Sequence, residues 1–209
     1  MSEIQTKINR FVSFAAALRK HGKPNILVYF GYALGDDLLC SAVLHGLKRM
    51  GNDKIWMMSN FPYMFVGNTD VEAVIPVNTR FLSIAARLGV RIITPGYTDM
   101  LPDGDRQIPP DKHILVKLCE SAQVTGKFSV KPYIGPIEIY PLPPDPRPTI
   151  SIQSSGVAAS WHITTKDWFP ERFQKVVDAL ADDFRFVQVG SAKDPELVGT
   201  LDMRGKTSI

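Results

Sequence analysis

Apolar residues recur along this chain in two alternating periods, and the alternation predicts a parallel α/β protein. Over residues 4–19, Ile4, Ile8, Phe11, Val12, Ala15 and Leu18 fall on one helical face, with Lys7, Arg10 and Arg19 largely elsewhere. Gly22 and Pro24 end that helix. The run from Asn25 to Phe30 is almost continuously apolar, the pattern of a strand covered on both faces. After Gly31–Gly35 the helical period returns, and Leu38, Leu39, Ala42, Val43 and Leu47 make a buried stripe between Asp36 and Met50. Gly51 breaks this helix, and Lys54–Met58 reads as a second strand. Strand, glycine-containing turn, helix and strand form a βαβ unit, and such units build parallel sheets.

The alternation continues. A short strand lies within Val71–Val77, a helix over Phe81–Leu88 and a strand over Arg91–Thr94. Residues 96–110, rich in Pro, Gly and Asp, read as a surface loop. Ile114, Leu115, Leu118, Cys119 and Ala122 share the apolar face of a helix over 112–124, which Gly126 terminates. Five prolines between Pro141 and Pro148 exclude both helix interior and central strand, so this stretch is read as an interdomain linker. The pattern then restarts, with strands over Thr149–Gln153 and Phe184–Val189 around a helix over Pro170–Leu180. The expected organisation is a first Rossmann-like domain over 1–140, a linker over 141–148, and the start of a second over 149–209. With only two strands evident in it, the second domain is expected to be incomplete, and Ile150, Ile152, Phe186 and Val187 to lack neighbours.

Bulk properties narrow the function. The chain has 209 residues, is 44% hydrophobic and carries a formal charge of +3, a globular composition that is only mildly basic. That charge suits anionic small substrates and lacks the concentrated basic stripe of a nucleic-acid binder. Cys40 and Cys119 both lie in apolar helical patterns and His21, His45, His113 and His162 are scattered, which argues against a metal site or disulfide framework. No signal-peptide pattern or membrane-spanning run is present, and a cytoplasmic protein is expected. Helix 4–19 has two readings. It packs on the first domain, or its basic residues and apolar face lie on the inner surface of the cytoplasmic membrane, making the protein peripheral there.

Three stretches carry candidate chemistry. Gly31-Tyr-Ala-Leu-Gly35-Asp36-Asp37-Leu38-Leu39 sits at the carboxyl end of the first strand, where ligands bind in open α/β sheets. There Gly35 lets the backbone approach a ligand, while Asp36 and Asp37 either serve a site or simply cap the helix and match its dipole. The pattern is neither GxGxxG nor a P-loop, which speaks against a dehydrogenase or an ATPase. Ser154-Ser155-Gly156 is a second strand-end turn, followed by Lys166 just ahead of the next helix. Lys166 either reaches a diphosphate as a point charge or is a solvated lysine beside a packed aromatic. Third, Val187-Gln-Val-Gly190-Ser191 with Asp194 reads as a strand, turn and short helix. It forms either the edge of a nucleotide pocket or an ordinary βα turn.

In order and spacing these stretches resemble glycosyltransferase family 9, the ADP-heptose:lipopolysaccharide heptosyltransferases and their relatives. The family's strand–G-x-G-D-x-L-L–helix is matched by Leu34 to Leu39. Its K-x-W-P-x-E-R-F is matched by Lys166 to Phe173 with Phe169 inserted, and its D-x-R-G-K-T-S by Asp202 to Ser208. A further G-x-D-S-G-x-x-H stretch of the family has no counterpart here. The resemblance implies a GT-B fold, two Rossmann-like domains with acceptor bound by the first and nucleotide-sugar donor by the second. It implies Asp36 as general base and Lys166 as diphosphate ligand, with Gly35, Ser154, Ser155, Gly156 and Gly190 around the substrates. The reaction so implied transfers a heptose or related sugar, from ADP-heptose foremost, to a lipopolysaccharide-type or other glycan acceptor. It needs no metal. Beyond the nucleotide sugar as co-substrate no cofactor is expected. The rival from another class is a non-catalytic nucleotide-sugar-binding module acting within an assembly.

Overall fold

The computed structural model describes residues 3–31, 33–100, 107–108, 111–127, 131–136, 139–156 and 167–207, with backbone alone at 3–11, 99–100 and 107–108. The chain divides into two compact units, Met1–Ile137 and Glu138–Ile209.

Unit 1 is a parallel sheet between two layers of helix. Its strands are β1 (Ile26–Tyr29), β2 (Ile55–Met58), β3 (Ala73–Ile75) and β4 (Arg91–Ile93), in the order β3-β2-β1-β4 with every pairing parallel. Because side chains alternate across a strand, Ile26 and Val28 go to one face of the sheet and Leu27 to the other. On the first face α2 (Leu34–Arg49) and α4 (Ile114–Ser121) bring Cys40, Val43, Leu44, Leu47, Leu115, Leu118 and Cys119 against Ile55, Met57 and Ile93. On the second, α1 (Glu3–His21) and α3 (Thr79–Arg87) close over Trp56, Met58 and Ile75. Phe14 stacks on Phe81 with ring centroids 4.4 Å apart and meets Trp56 edge-on at 6.3 Å. Ala17 and Leu18 pack there too, so the buried face of α1 is Phe14, Ala17 and Leu18, while Val12 and Ala15 of the expected apolar face are exposed. The side chains of Ile4, Ile8 and Phe11 lie outside the described residues. No helix among the described residues is long and apolar enough to cross a membrane.

The stretch 96–110 differs from the surface loop expected. It carries an antiparallel ribbon, β5 (Asp99–Met100) with β6 (Gln107–Ile108), which pairs backbone groups that a plain loop leaves to water.

Unit 2 is a smaller parallel sheet, β7 (Thr149–Ile152), β8 (Arg185–Gln188) and β9 (Leu201–Asp202) in the order β7-β8-β9, with α5 (Pro170–Leu180) between the first two strands. Pro170 opens α5, where its missing N–H costs nothing. β9 is a third strand that the sequence pattern did not reveal, because a two-residue element has no period to read. Ile152, Phe186 and Val187 are buried within the unit, and Ile152 and Phe186 pack with Val177 of α5 and Leu197. The proline-rich stretch is fastened to this unit at both ends. Arg185 donates to the Pro143 carbonyl, and Arg147 donates to the Ala181 carbonyl while holding Asp145 through both carboxylate oxygens.

Candidate active site

The strand order of unit 1 places a site before any side chain is considered. From β1 the chain steps outward to β2 and β3, then returns across β1 to lay β4 on its other side. Between β1 and β4 the direction of winding therefore reverses, and ligands in open α/β sheets bind outside the carboxyl ends of strands at that reversal. The loops leaving those ends carry Gly31 after β1 and Tyr97 after β4, and Ser59 follows directly on β2.

Asp36 lies in the first turn of α2, whose N-cap Ala33 offers no side-chain hydrogen bond. Neither acid of this turn is the cap that Asp, Asn, Ser or Thr would provide at that position. The Asp36 carboxylate instead turns back over the loop: a Cβ added at Gly31 would meet its Oδ2 at 2.5 Å. Gly31 also has φ +59, so two independent reasons exclude a side chain there. Gly35, expected to be the glycine of close approach, lies inside the helix turn with nothing within 4 Å of its Cβ position. Gly31 carries that steric demand. Asp36 is half-buried, and burial raises its pKa above the ordinary aspartate value. No hydrogen bond or ion pair to its carboxylate is found among the described residues. Its charge reaches Tyr97, whose hydroxyl is pushed up by burial first and by Asp36 second, and the Tyr97 ring meets Phe30 edge-on at 5.7 Å.

Asp37 points inward and is 2% exposed. Its Oδ2 accepts the Ser59 hydroxyl, and burial pushes its pKa up to about 6 against the lowering effect of that bond, with the neighbouring Asp36 raising it further. The Cys40 thiol, one turn on, is raised well above its ordinary value by burial and then by the two carboxylates. This is a cluster of acids with no basic side chain among the causes of either carboxylate's shift.

In unit 2 the three expected ligand residues of the first turn have different environments. Ser154 is buried, and its hydroxyl accepts from Gln188 Nε2 at 3.2 Å and donates to the Pro195 carbonyl at 3.4 Å, so it is engaged inside the unit. Ser155 and Gly156 are half-buried beyond it. Lys166 lies outside the described residues, as does Ser208. Further along the same motif Trp168 is partly exposed and meets Phe173 edge-on at 5.1 Å, while Arg172 lies over the Phe169 ring at 5.5 Å. Gly190 follows β8 with φ +128, and the Asp194 carboxylate occupies the space a side chain would need.

The short helix expected after Gly190-Ser191 is a loop. Gln188, fully buried, supplies what a helix ladder would have supplied: its Nε2 donates to the Pro195 carbonyl at 2.7 Å, and its Oε1 accepts from the Leu197 N–H at 2.8 Å. Asp194 closes the turn by accepting from the Ser191 N–H at 2.9 Å. Its second oxygen, Oδ1, is buried with no hydrogen-bond partner among the described residues. Arg204 then clamps the loop to β9, holding Asp202 through Nε and one terminal nitrogen, Glu196 at 2.9 Å and the Asp194 carbonyl.

Sequence reasoning therefore missed Tyr97 and Ser59 in unit 1 and Gln188 in unit 2. Tyr97 and Ser59 follow the carboxyl ends of strands, and that position is the signal that finds them once the strands are placed. Among the described residues no group of three acidic, histidine or cysteine side chains is arranged to hold a metal ion.

No protein-family model matches the chain, and no curated protein matches it in sequence. Among solved structures it is similar to the glycosyl transferase family 9 protein of Veillonella parvula DSM 2008, with a TM-score of 0.60 and 15% sequence identity over 88% of this chain and 70% of that one. At that identity the likeness is one of fold, and it places the chain's α/β architecture with that of a family 9 glycosyltransferase.

Proposed function

We propose that this protein is a glycosyltransferase of the family 9 type, using Asp36 as the general base. The observation that carries the reading is the Asp36 carboxylate itself. It stands at the carboxyl edge of the sheet, at the reversal of strand order, partly desolvated and without a hydrogen-bond or ion-pair partner among the described residues. A carboxylate used only for stability would be expected to hold a donor, as Asp37 does. A raised pKa makes Asp36 a better proton acceptor.

In the reaction the hydroxyl oxygen of a glycan acceptor attacks the anomeric carbon of the donor sugar as its proton passes to Asp36. The bond from that carbon to the phosphate oxygen breaks, and the nucleoside diphosphate leaves with the electron pair. Attack opposite the leaving group inverts the anomeric centre. Lys166 and the backbone amides of the Ser154-Ser155-Gly156 and Gly190 turns meet the charge that develops on the diphosphate. The donor is a nucleotide sugar, ADP-heptose foremost, the acceptor a lipopolysaccharide-type glycan, and the enzyme works in the cytoplasm without a metal or further cofactor.

The test is release of nucleoside diphosphate from ADP-heptose, with UDP- and GDP-sugars in parallel, in the presence of a heptose-deficient lipopolysaccharide core. Asp36→Asn is expected to lower kcat by roughly 10²–10⁴-fold, the contribution of a general base, with donor affinity and melting temperature unchanged. Turnover within threefold of the parent returns Asp36 to a structural role.

A further inference from the structure

Asp37 is a buried ionisable group for which this mechanism has no use, and its one strong partner belongs to another element. Ser59 is itself pinned at two points: its N–H donates to the Ile75 carbonyl at 2.9 Å, and its Oγ accepts from the Phe61 N–H at 2.8 Å. The hydroxyl's one hydrogen therefore goes to Asp37. A rigid point at the end of β2 thus holds the first turn of α2, a turn that has no side-chain cap of its own. Successive helical residues point about 100° apart, so fixing the direction of Asp37 fixes that of Asp36. The space open to Asp36 is narrow, since its carboxylate fills the position over Gly31 that a side chain would take.

We propose that the Asp37–Ser59 hydrogen bond is the positioning device of this site: it anchors the N-terminal turn of α2 to the carboxyl end of β2 and so sets where Asp36 points and how strongly it holds a proton. Asp37 is a positioning residue, not a catalytic one. Asp36 and Cys40 face it from its own helix and Ser59 from β2, while Tyr97 faces Asp36 from the loop after β4 and Cys119 of α4 faces Cys40. Both thiols are held up by burial, foremost, and are neutral near pH 7, Cys119 at about 11. Burial alone holds Asp36 up, so its titration reports how far its carboxylate sits from water. The kinetic consequence rests on the reading of Asp36 as a base; the geometry does not.

Carbon-13 NMR of the aspartate carboxyls reads the device without any substrate. Ser59→Ala takes away the bond that lowers Asp37, so Asp37 is expected to titrate higher. Asp36, held up by burial and now freed to reach water, is expected to titrate lower, and the amides of residues 36–38 to exchange faster. Ser59→Thr, which keeps the hydroxyl, is expected to restore all three readings. In the ADP-heptose assay Ser59→Ala is expected to lower kcat about 10- to 100-fold with KM for the donor within twofold, the scale of a misplaced catalytic group. If Ser59→Ala does not fold, Asp37→Ala removes the acceptor of the same bond, and Asp36 must again titrate lower. An Asp36 titration and amide exchange that stay unchanged in a folded Ser59→Ala protein, or an unchanged Asp36 titration in Asp37→Ala, overturn the proposal. Shifted titrations in a protein without turnover on any nucleotide sugar leave the positioning intact and overturn the glycosyltransferase reading instead.

Discussion

The two units hold their acids in opposite ways. In unit 1 the two aspartates of α2 are drawn out of water beside one another, with a hydroxyl as the only donor among the described residues, and both pKa values rise. In unit 2, Asp145 and Asp202 are half-buried, each in the fork of an arginine, and both are lowered, Asp202 to about 2. An arginine fork makes an acid an anchor, because its oxygens are filled and its basicity is gone. Desolvation without a cation does the reverse, keeping the lone pairs available and the proton affinity high. The cores differ in parallel. Unit 1 buries both faces of its sheet, whereas on β7 of unit 2 Ile150 and Ile152 face the core while Thr149 and Ser151 remain exposed.

The largest effects should follow this difference in cores. Leu44→Ala, at a fully buried position between α2 and the sheet, is expected to cost about 2–5 kcal/mol. Ile150→Ala, half-buried on β7, should cost clearly less. Hydrogen exchange resolved by unit measures both, and equal losses would mean that unit 2 is as tightly packed as unit 1. Next comes Asp37. Near pH 4 and below, folded and unfolded chains alike hold its proton. Between about 4 and 6 only the folded chain does, so stability falls as pH rises through that window. Above about 6 the loss is complete. A rise from 3.8 to about 6 corresponds to about 3 kcal/mol. Thermal scans from pH 4 to 8 should show this slope in the parent and its absence in Asp37→Asn.

How much of this was legible in the sequence follows from how far each feature reaches along the chain. β1, α2, β2 and α5 each carry enough consecutive apolar positions to declare a period, and they lie within one or two residues of where the pattern places them. β9 and the β5–β6 ribbon are two residues per strand, too short for any period, and were invisible. Asp36 was found from its place at a strand end and from the resemblance. The other residues around it were not, because Ser59 and Tyr97 reach the site from other strands, and only the sheet order brings those strand ends together. Asp37 shows the same gap. Sequence left it either serving a site or capping the helix, and burial with a cross-strand hydroxyl makes it the more constrained of the two. Gln188 was unreadable for a different reason, since a polar residue at the end of an apolar strand gives no sign that it organises the loop beyond.

A sharper probe of unit 1 is a pair of glycines. Gly31→Ala puts a methyl into a left-handed backbone and against Asp36 Oδ2, so it is expected to cost about 1–3 kcal/mol and to displace the carboxylate. Gly35→Ala meets open space within α2 and should stabilise the helix by about 0.5–1 kcal/mol. Denaturant unfolding compares them, and the two changes should have opposite signs. If Gly31→Ala is also neutral, the carboxylate does not lie over the loop, and the close approach on which the site is built is wrong.

The smallest effect belongs to unit 2 and tests the other half of the comparison. Arg204 holds Asp202 through Nε at 2.8 Å and a terminal nitrogen at 3.1 Å, and reaches Glu196 at 2.9 Å. Asp202 is lowered chiefly by the side-chain hydrogen bond from Arg204. Its contribution to stability is therefore present above the ordinary aspartate range and is lost as pH falls through about 2. Arg204→Met keeps most of the side chain's bulk and removes the fork. Asp202 should then titrate higher, still lowered by the backbone N–H of residue 204 that it accepts at 3.0 Å. Because the acid is partly exposed, solvent screens the pair, and the fall in melting temperature at pH 7 should be smaller than those of Leu44→Ala, Ile150→Ala and Gly31→Ala. The clearer sign should be local: the Leu197 N–H, held by Gln188 in the loop that Arg204 clamps, should exchange faster. A loss of stability as large as that of Leu44→Ala would show that the arginine organises the fold of unit 2, and the contrast between an anchoring acid and an available one would then rest on Asp36 and Asp37 alone.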